Sequence, residues 1–513
     1  MEVGGENIRL ILGLKLKQFR LKKEMQLKVL AEKSGLSISF LSEIEKGKKY
    51  PKPEKIMMLA QALDISFDEL VSLKVDEELS GLTSLLNSPF VKEFPFELFG
   101  ITPRDLMDLA KDSSAKAGAF IRTFLEIGES YDMRVEHFLL AALRSYQKIH
   151  LNYFEDIEKA VIRFRKENRL PVEPLLDVEQ LRSIFINKYH FALEETTFDK
   201  FPELQGFRSI WLDTEPPKLL VNKNLLPSQK AFILGREVGY SHLNLSERAK
   251  TSSWLKVESF EQVLNNFQAS YFAGALLINR SLLQKDLKRF FKKKKWDGQA
   301  FLGLMKKYDA TPEMFLYRLS QLIPKLFNLR EIYYLRFNNQ ADMGRYPLTK
   351  ELNMSRVRVP HGIGLNEHYC RRWLSISLLK ELAAKQQAGP VSEILISAQR
   401  SHFIRGGDDF FTLTLARPLA LTNGTNSSIS IGFLINEEFK NTVSFWNDSA
   451  IPKVEVNETC ERCELSEAQC SDRVAPPDLF LQEQNHLQRE QALEKFIGEM
   501  KGDREENREE NRE

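Results

Sequence analysis

Residues 26–47, QLKVLAEKSGLSISFLSEIEKG, read as two short helices about a tight turn. Leu27, Leu30 and Ala31 recur at helical spacing and stop at Gly35, the residue type that most readily takes the left-handed backbone ending a helix. Ser37 then stands as an N-cap before a second short helix, SISFLSEIE, closed by Gly47. Upstream, Leu14, Phe19 and Leu21 lie among basic residues in an amphipathic helical pattern. From Arg9 to Lys55, thirteen Lys and Arg stand against five acids, whereas the whole chain of 513 residues carries a net charge of only +2. Attraction for a polyanion is therefore concentrated in this head. Two helices about a glycine turn, carrying that charge, form the pattern that places a helix in the DNA major groove.

The stretch LAEKSGLSISFLSEIEKGKKYPKPEKIMMLAQALDISFDEL, residues 30–70, resembles the DNA-binding domain of the XRE family of bacterial regulators. That resemblance implies that the helix from Ser37 to Glu45 enters the major groove with Ser39, Phe40, Ser42 and Glu43 nearest the bases, Ser37 opening it. Gln26, Lys28, Lys46, Lys48, Lys49 and Tyr50 are placed for phosphates, where they add affinity rather than sequence preference. Many members carry Gln where this chain has Leu27.

Apolar content of 42% and charged content of 28% are those of an ordinary globular protein, and the length calls for several cores. No apolar run reaches the roughly 20 residues needed to span a bilayer, so a cytoplasmic location without membrane contact is expected. Four cysteines are too few for a disulfide framework.

From about 76 to 172 the pattern is helical, as in EHFLLAALRSYQKIHLNYFEDIEKAVIRF. Two strand-like stretches follow, RSIWLDT and KLLVNKN, then the helix containing FILGREVGY (232–240), a long apolar helix (NNFQASYFAGALLIN) and a Thr-capped helix (DATPEMFLYRLSQLI). This order resembles the ImmA/IrrE-type metallopeptidase domain. The resemblance places the paired zinc histidines at Arg236 and Tyr240 and the third ligand, an acid, at Gln268; only the glutamate remains, as Glu237. A guanidinium does not deprotonate to bind a metal and an amide is a poor substitute for a carboxylate, so neither catalytic zinc nor hydrolysis is expected. The run Lys292–Lys295 reads as a solvated face or a phosphate contact.

Beyond about 330 strands dominate: EIYYLRF, SEILISAQ, FFTLTLARPLAL and SISIGFLI, with a helix after Cys370. An antiparallel sheet with helices against it, a sensor-like α+β domain, is expected. Then comes NETCERCELSEAQCSDRVAPP. Cys460 and Cys463 can reach one metal from a single turn, Cys470 is close enough to join, and Cys370 or His368 can complete the set. Zinc, an iron-sulfur cluster and a set of buried reduced thiols all remain open, a cluster normally requiring four thiolates.

The order of head, peptidase-like domain and cysteine tail is similar to that of the short-chain fatty-acid regulators. Membership would imply short acyl-CoA effectors and, in some members, a 4Fe-4S cluster. Six residues separate Cys463 from Cys470 here, against four in many family tails.

The expectation is thus a multidomain α+β protein: residues 1–75 a helix-turn-helix head, 76–172 a helical linker domain, 173–328 a degenerate ImmA/IrrE-like domain, 329–480 a sensor domain with the cysteine site, and 481–513 a charged, disordered tail. Its expected role is a DNA-binding regulator acting as a homodimer under a small-molecule effector, either a short acyl-CoA or a redox signal. The competing readings are a metallopeptidase that cleaves a partner repressor, and an antitoxin or phage-type repressor without a small ligand.

Overall fold

The computed structural model describes residues 5–45, 49–72, 96–99, 123, 127, 135–173, 175–196, 198, 201–204, 206–251, 257, 259–340, 344–355, 357, 367–389, 391, 393–422 and 424–510. These fall into two compact units, one of residues 1–146 with 256–263 and one of 147–255 with 264–513.

The first unit opens with five helices, α1 (Gly5–Lys22), α2 (Leu27–Ser34), α3 (Ile38–Glu45), α4 (Pro53–Ala62) and α5 (Phe67–Val71). Gly35 ends α2 at φ 69°, the left-handed turn expected of it. Leu16, Leu30, Leu41, Ile44, Leu59, Leu63 and Leu70 form one buried core. Gly13 lets α1 approach α3 closely, because a Cβ there would lie 2.2 Å from the Ile44 carbonyl oxygen. Arg20 donates to both carboxylate oxygens of Glu45 at 2.7 and 3.0 Å and to the Met25 carbonyl at 2.8 Å. The pair is buried and its fork-to-fork geometry satisfies both partners, fixing the end of α3 to α1. α6 (Val135–Ile149) follows.

The second unit begins with α7 (Glu155–Glu167) and α8 (Val178–Asn187). Residues 147–172, assigned from sequence to a separate helical domain, pack here instead. Glu158 forms a fully buried ion pair with Arg318 at 2.7 Å and accepts from the Tyr271 hydroxyl at 3.0 Å. A small sheet of β1 (Ala192–Thr196), β2 (Ser209–Leu212) and β3 (Lys218–Asn222) has the order β1-β3-β2, with β1 parallel and β2 antiparallel to β3. After it come α9 (Pro227–His242), α10 (Phe260–Leu277), α11 (Arg280–Phe291), α12 (Gly298–Lys307) and α13 (Pro312–Leu326). The Thr311 side chain caps α13 by accepting from the Met314 amide, and Pro312 occupies its first turn.

The C-terminal sheet joins β4 (Ile332–Gln340), β5 (Leu348–Asn353), β6 (Leu395–Phe403), β7 (Asp409–Pro418), β8 (Thr425–Leu434) and β9 (Lys453–Val456) in the order β5-β4-β8-β7-β6-β9. α14 (Leu374–Ala388) covers one face, and the short α15 (Glu437–Thr442) lies between β8 and β9. The sheet is antiparallel, as expected, except at its edge, where the short β9 pairs parallel to β6. The chain between β8 and β9 is long enough for the crossover a parallel pair requires.

In the tail Asp478–Glu510 forms a helix, α16. Its Gln, Glu, Leu, Lys and Arg are strong helix formers. Arg405 pairs with Glu483 at 2.8 Å near its start, and Leu487, Leu493 and Phe496 are exposed.

Candidate functional site

In the head, Ser37 lies just outside α3 and its Oγ accepts from the Phe40 amide at 3.3 Å, the cap its residue type suggested. Ser37 and Ser39 are exposed, while Phe40, Ser42 and Glu43 are half-buried. Phe40 lies beneath the Lys55 ammonium, 4.2 Å from the ring centroid. Lys49 pairs with Glu43 at 2.8 Å, a surface contact that a phosphate oxygen can replace at little cost. Gln26, Lys28 and Tyr50 are exposed; Lys46 and Lys48 lie outside the described residues.

The helix carrying the degenerate zinc positions is α9, and α10 packs against it at two glycines. A Cβ on Gly235 would stand 3.3 Å from that of Ala273, and one on Gly239 would stand 3.0 Å from the Phe272 ring. Glu237 is fully buried. Its Oε1 accepts from Arg236 Nε at 3.0 Å and Nη2 at 2.6 Å, and its Oε2 accepts from Arg248 Nη1 at 2.7 Å. Arg236 also reaches Ser209 Oγ at 3.3 Å. Burial pulls the Arg236 guanidinium down, but the adjacent Glu237 carboxylate outweighs it and holds the group above its ordinary value. The Tyr240 hydroxyl donates to Asn266 Oδ1 and accepts from the Ala249 amide, both at 3.3 Å, and burial pushes it up to about 12. The Arg248 guanidinium lies 3.9 Å from the Trp211 ring centroid and 4.8 Å from that of Tyr240.

Arg236, Glu237 and Tyr240 thus do form one cluster. Half-buried Gln268 makes no hydrogen bond to it among the described residues, where Arg248 and Asn266 take part instead. Neither was legible in the sequence, because Arg248 comes from the loop after α9 and no motif marks it.

All four cysteines are reduced and buried. An antiparallel bridge between Tyr369 and Thr459, with the Cys460 amide donating to the His368 carbonyl at 2.8 Å, brings Cys370 to the cysteine tail. Burial pushes the Cys370 thiol up to about 11, with Cys460 and Cys463 contributing. His368, the alternative fourth ligand, has its Nδ1 engaged with Glu461 at 2.7 Å. Four thiols have the donor chemistry of zinc or 4Fe-4S, but among the described residues no three Cys, His, Asp or Glu converge closely enough to hold a metal. Cys370 packs into the sheet core with Trp373 and Phe403, whereas Cys463 and Cys470 pack with Leu465 and Ile404.

A small pocket opens where α14 begins on the sheet, lined by apolar Leu335, Trp373 and Phe403 and by the hydroxyl-bearing Tyr333, Ser375, Ser401 and Thr412. The Tyr333 hydroxyl and Thr412 Oγ1 are 2.6 Å apart, and Ser401 Oγ is 3.1 Å from Thr412. No residue of this pocket was identified from sequence; single hydroxyls within apolar strands, such as Thr412 in FFTLTL, were the available signal.

Residues 16–70 match the family model described as helix-turn-helix, and residues 191–320 match that of the IrrE N-terminal-like domain. The propionyl-CoA carboxylase regulator of Cereibacter sphaeroides is 27% identical over 135 residues, which are 26% of this chain and 27% of that protein. The match spans about a quarter of that relative's length. A solved structure, a Mycobacterium tuberculosis transcriptional regulator, shares 16% identity and covers 65% of this chain and 92% of its own at a TM-score of 0.43. Among the described residues no helix is long and apolar enough to cross a membrane.

Proposed function

From a chain that carries a helix-turn-helix domain at 16–70 and an IrrE N-terminal-like domain at 191–320, we propose a DNA-binding transcription regulator responsive to a small effector. The observation that carries this reading is α3: Leu41 and Ile44 anchor it in the head core, while Ser37 and Ser39 are exposed, as are the basic residues Lys28 and Lys49. A homodimer would set two such helices about 34 Å apart on one face of the duplex.

The peptidase-like domain then serves as framework rather than hydrolase. A carboxylate that already accepts from two guanidiniums is held as an ion-pair partner and is poorly placed to take a proton from water. A short acyl-CoA thioester is the effector class favoured by the resemblance to short-chain fatty-acid regulators and by the likeness to the Cereibacter propionyl-CoA carboxylase regulator. Cys370, Cys460, Cys463 and Cys470 have the donor chemistry for zinc or a 4Fe-4S cluster, which would require the thiols to draw together on binding. Bound there, such a centre would tie Cys370 to the tail and couple its occupancy to the sheet.

Genome-wide mapping of the sites this protein occupies, followed by titration of one such DNA duplex, tests the reading. Affinity should fall steeply with salt, Lys49→Ala should lower the salt slope by about 1 without changing sequence preference, and a short acyl-CoA should shift the operator affinity. Absence of sequence-preferring DNA binding would end the proposal, and an operator affinity unchanged across acyl-CoA compounds would leave a repressor without a small ligand.

A further inference from the structure

The register of the C-terminal sheet gathers an excess of positive charge on the face opposite α14. Arg336 of β4 pairs with Lys350 of β5 and with Ile429 of β8, Asn338 pairs with Ser427, and Arg417 of β7 also pairs with Ser427. Paired residues share a face, so Arg336, Asn338, Lys350, Arg417 and Ser427 all lie on one side. α13 stands over that side and contributes Glu313 and Tyr317. Arg417 donates to Glu313 Oε2 at 2.8 Å, and the Lys350 ammonium lies 3.5 Å from the Tyr317 ring centroid. Arg208, just before β2, acts electrostatically on both Glu313 and Lys350. Four cations thus meet one carboxylate.

Two further observations bear on this face. Arg208 and Lys350 are exposed, Arg336 is half-buried and Arg417 is buried, so the four charges run from the surface inward. In addition, Ser427 Oγ, Arg417 Nε, Thr425 Oγ1, Asn338 Oδ1 and Glu313 Oε1 are buried without a hydrogen-bond partner. Ser427 is completely buried. Interiors seldom leave such atoms unpaired, and two hydroxyls and a guanidinium N–H together are a donor set.

We propose that this face is an anion site for a phosphate-bearing small molecule, with Arg336, Arg417, Arg208 and Lys350 as charged partners and Ser427 and Thr425 as hydroxyl donors. Planar guanidiniums suit two phosphate oxygens at once, and an ammonium suits a third. The site names where the charged part of the proposed effector is held, and so rests on the ligand-responsive reading. It also borders the Glu237 cluster, because Arg236 reaches Ser209 Oγ at 3.3 Å, one residue from Arg208. An anion here therefore changes the field felt by the Glu237 cluster and by α13.

The test is calorimetric titration of the full-length protein with inorganic phosphate, inorganic pyrophosphate and adenosine diphosphate. Pyrophosphate should bind saturably, Arg336→Gln and Lys350→Gln should each weaken it at least tenfold, and Lys294→Gln on the exposed lysine run should not. Arg336→Lys, which keeps the charge but loses the fork, should fall between. Tighter binding of adenosine diphosphate than of pyrophosphate assigns the site to an organic phosphoester, and equal binding assigns it to free phosphate; either upholds it. No saturable binding, or binding untouched by Arg336→Gln and Lys350→Gln in folded protein, overturns it. Operator affinity measured with and without a short acyl-CoA separates the two ideas. Anion binding with no DNA response removes the effector reading and leaves the site, whereas a DNA response that survives both substitutions, without anion binding, does the reverse.

Discussion

Glu237 is held in the interior between Arg236 and Arg248, which donate to its two carboxylate oxygens, with Ser209 and the Trp211 ring completing the shell around the guanidiniums. Removing one partner of such a group leaves the others buried and uncompensated. Glu237→Gln should therefore destabilise the second unit by about 3–5 kcal/mol, read as a lowered midpoint in urea unfolding. A variant that unfolds like the parent would show that the cluster is solvated. Arg236→His should not recruit zinc, since Tyr240 and Gln268 still offer a phenol and an amide. The replacement of metal ligands was legible in the sequence because ligand chemistry belongs to residue type. What took their place was not, because Arg248 reaches the site only through the path of a loop.

At the level of single elements, the helices of the head and the long strands followed their periodicity closely. Gly35, Ser37, Thr311 and Pro312 end or begin helices as their backbone and capping chemistry dictates. The short edge strands β1, β5 and β9 escaped the sequence reading because each is four to six residues long and made by its neighbours. Within β8, Gly432 lies beneath Tyr333, whose ring would come within 2.1 Å of a Cβ. Gly432→Ala should displace that ring, break its contact with Thr412 and cost about 1–3 kcal/mol, with a matching fall in thermal midpoint. An unchanged midpoint would mean the tyrosine swings aside freely.

For the molecule as a whole, the cysteine site sets the sharpest test. Protein purified without oxygen should carry zinc or iron at about one site per chain, and replacing Cys370, Cys460, Cys463 and Cys470 by Ser should abolish it. Metal retained in that variant would locate the ion elsewhere, and metal-free parent protein would leave the thiols as apolar packing. The sequence by itself determined the helix-turn-helix head, the presence of a guanidinium, a phenol and an amide at Arg236, Tyr240 and Gln268, and the change from helices to strands, because capping, side-chain chemistry and periodicity are local properties. Only the tertiary structure decided that α7 packs with the peptidase-like region, that two arginines enclose Glu237, and that Arg208, Arg336, Lys350 and Arg417 meet on one face. Those outcomes depend on strand register and on which distant helix covers each face, and register is fixed by the sum of cross-strand contacts rather than by any one stretch of chain.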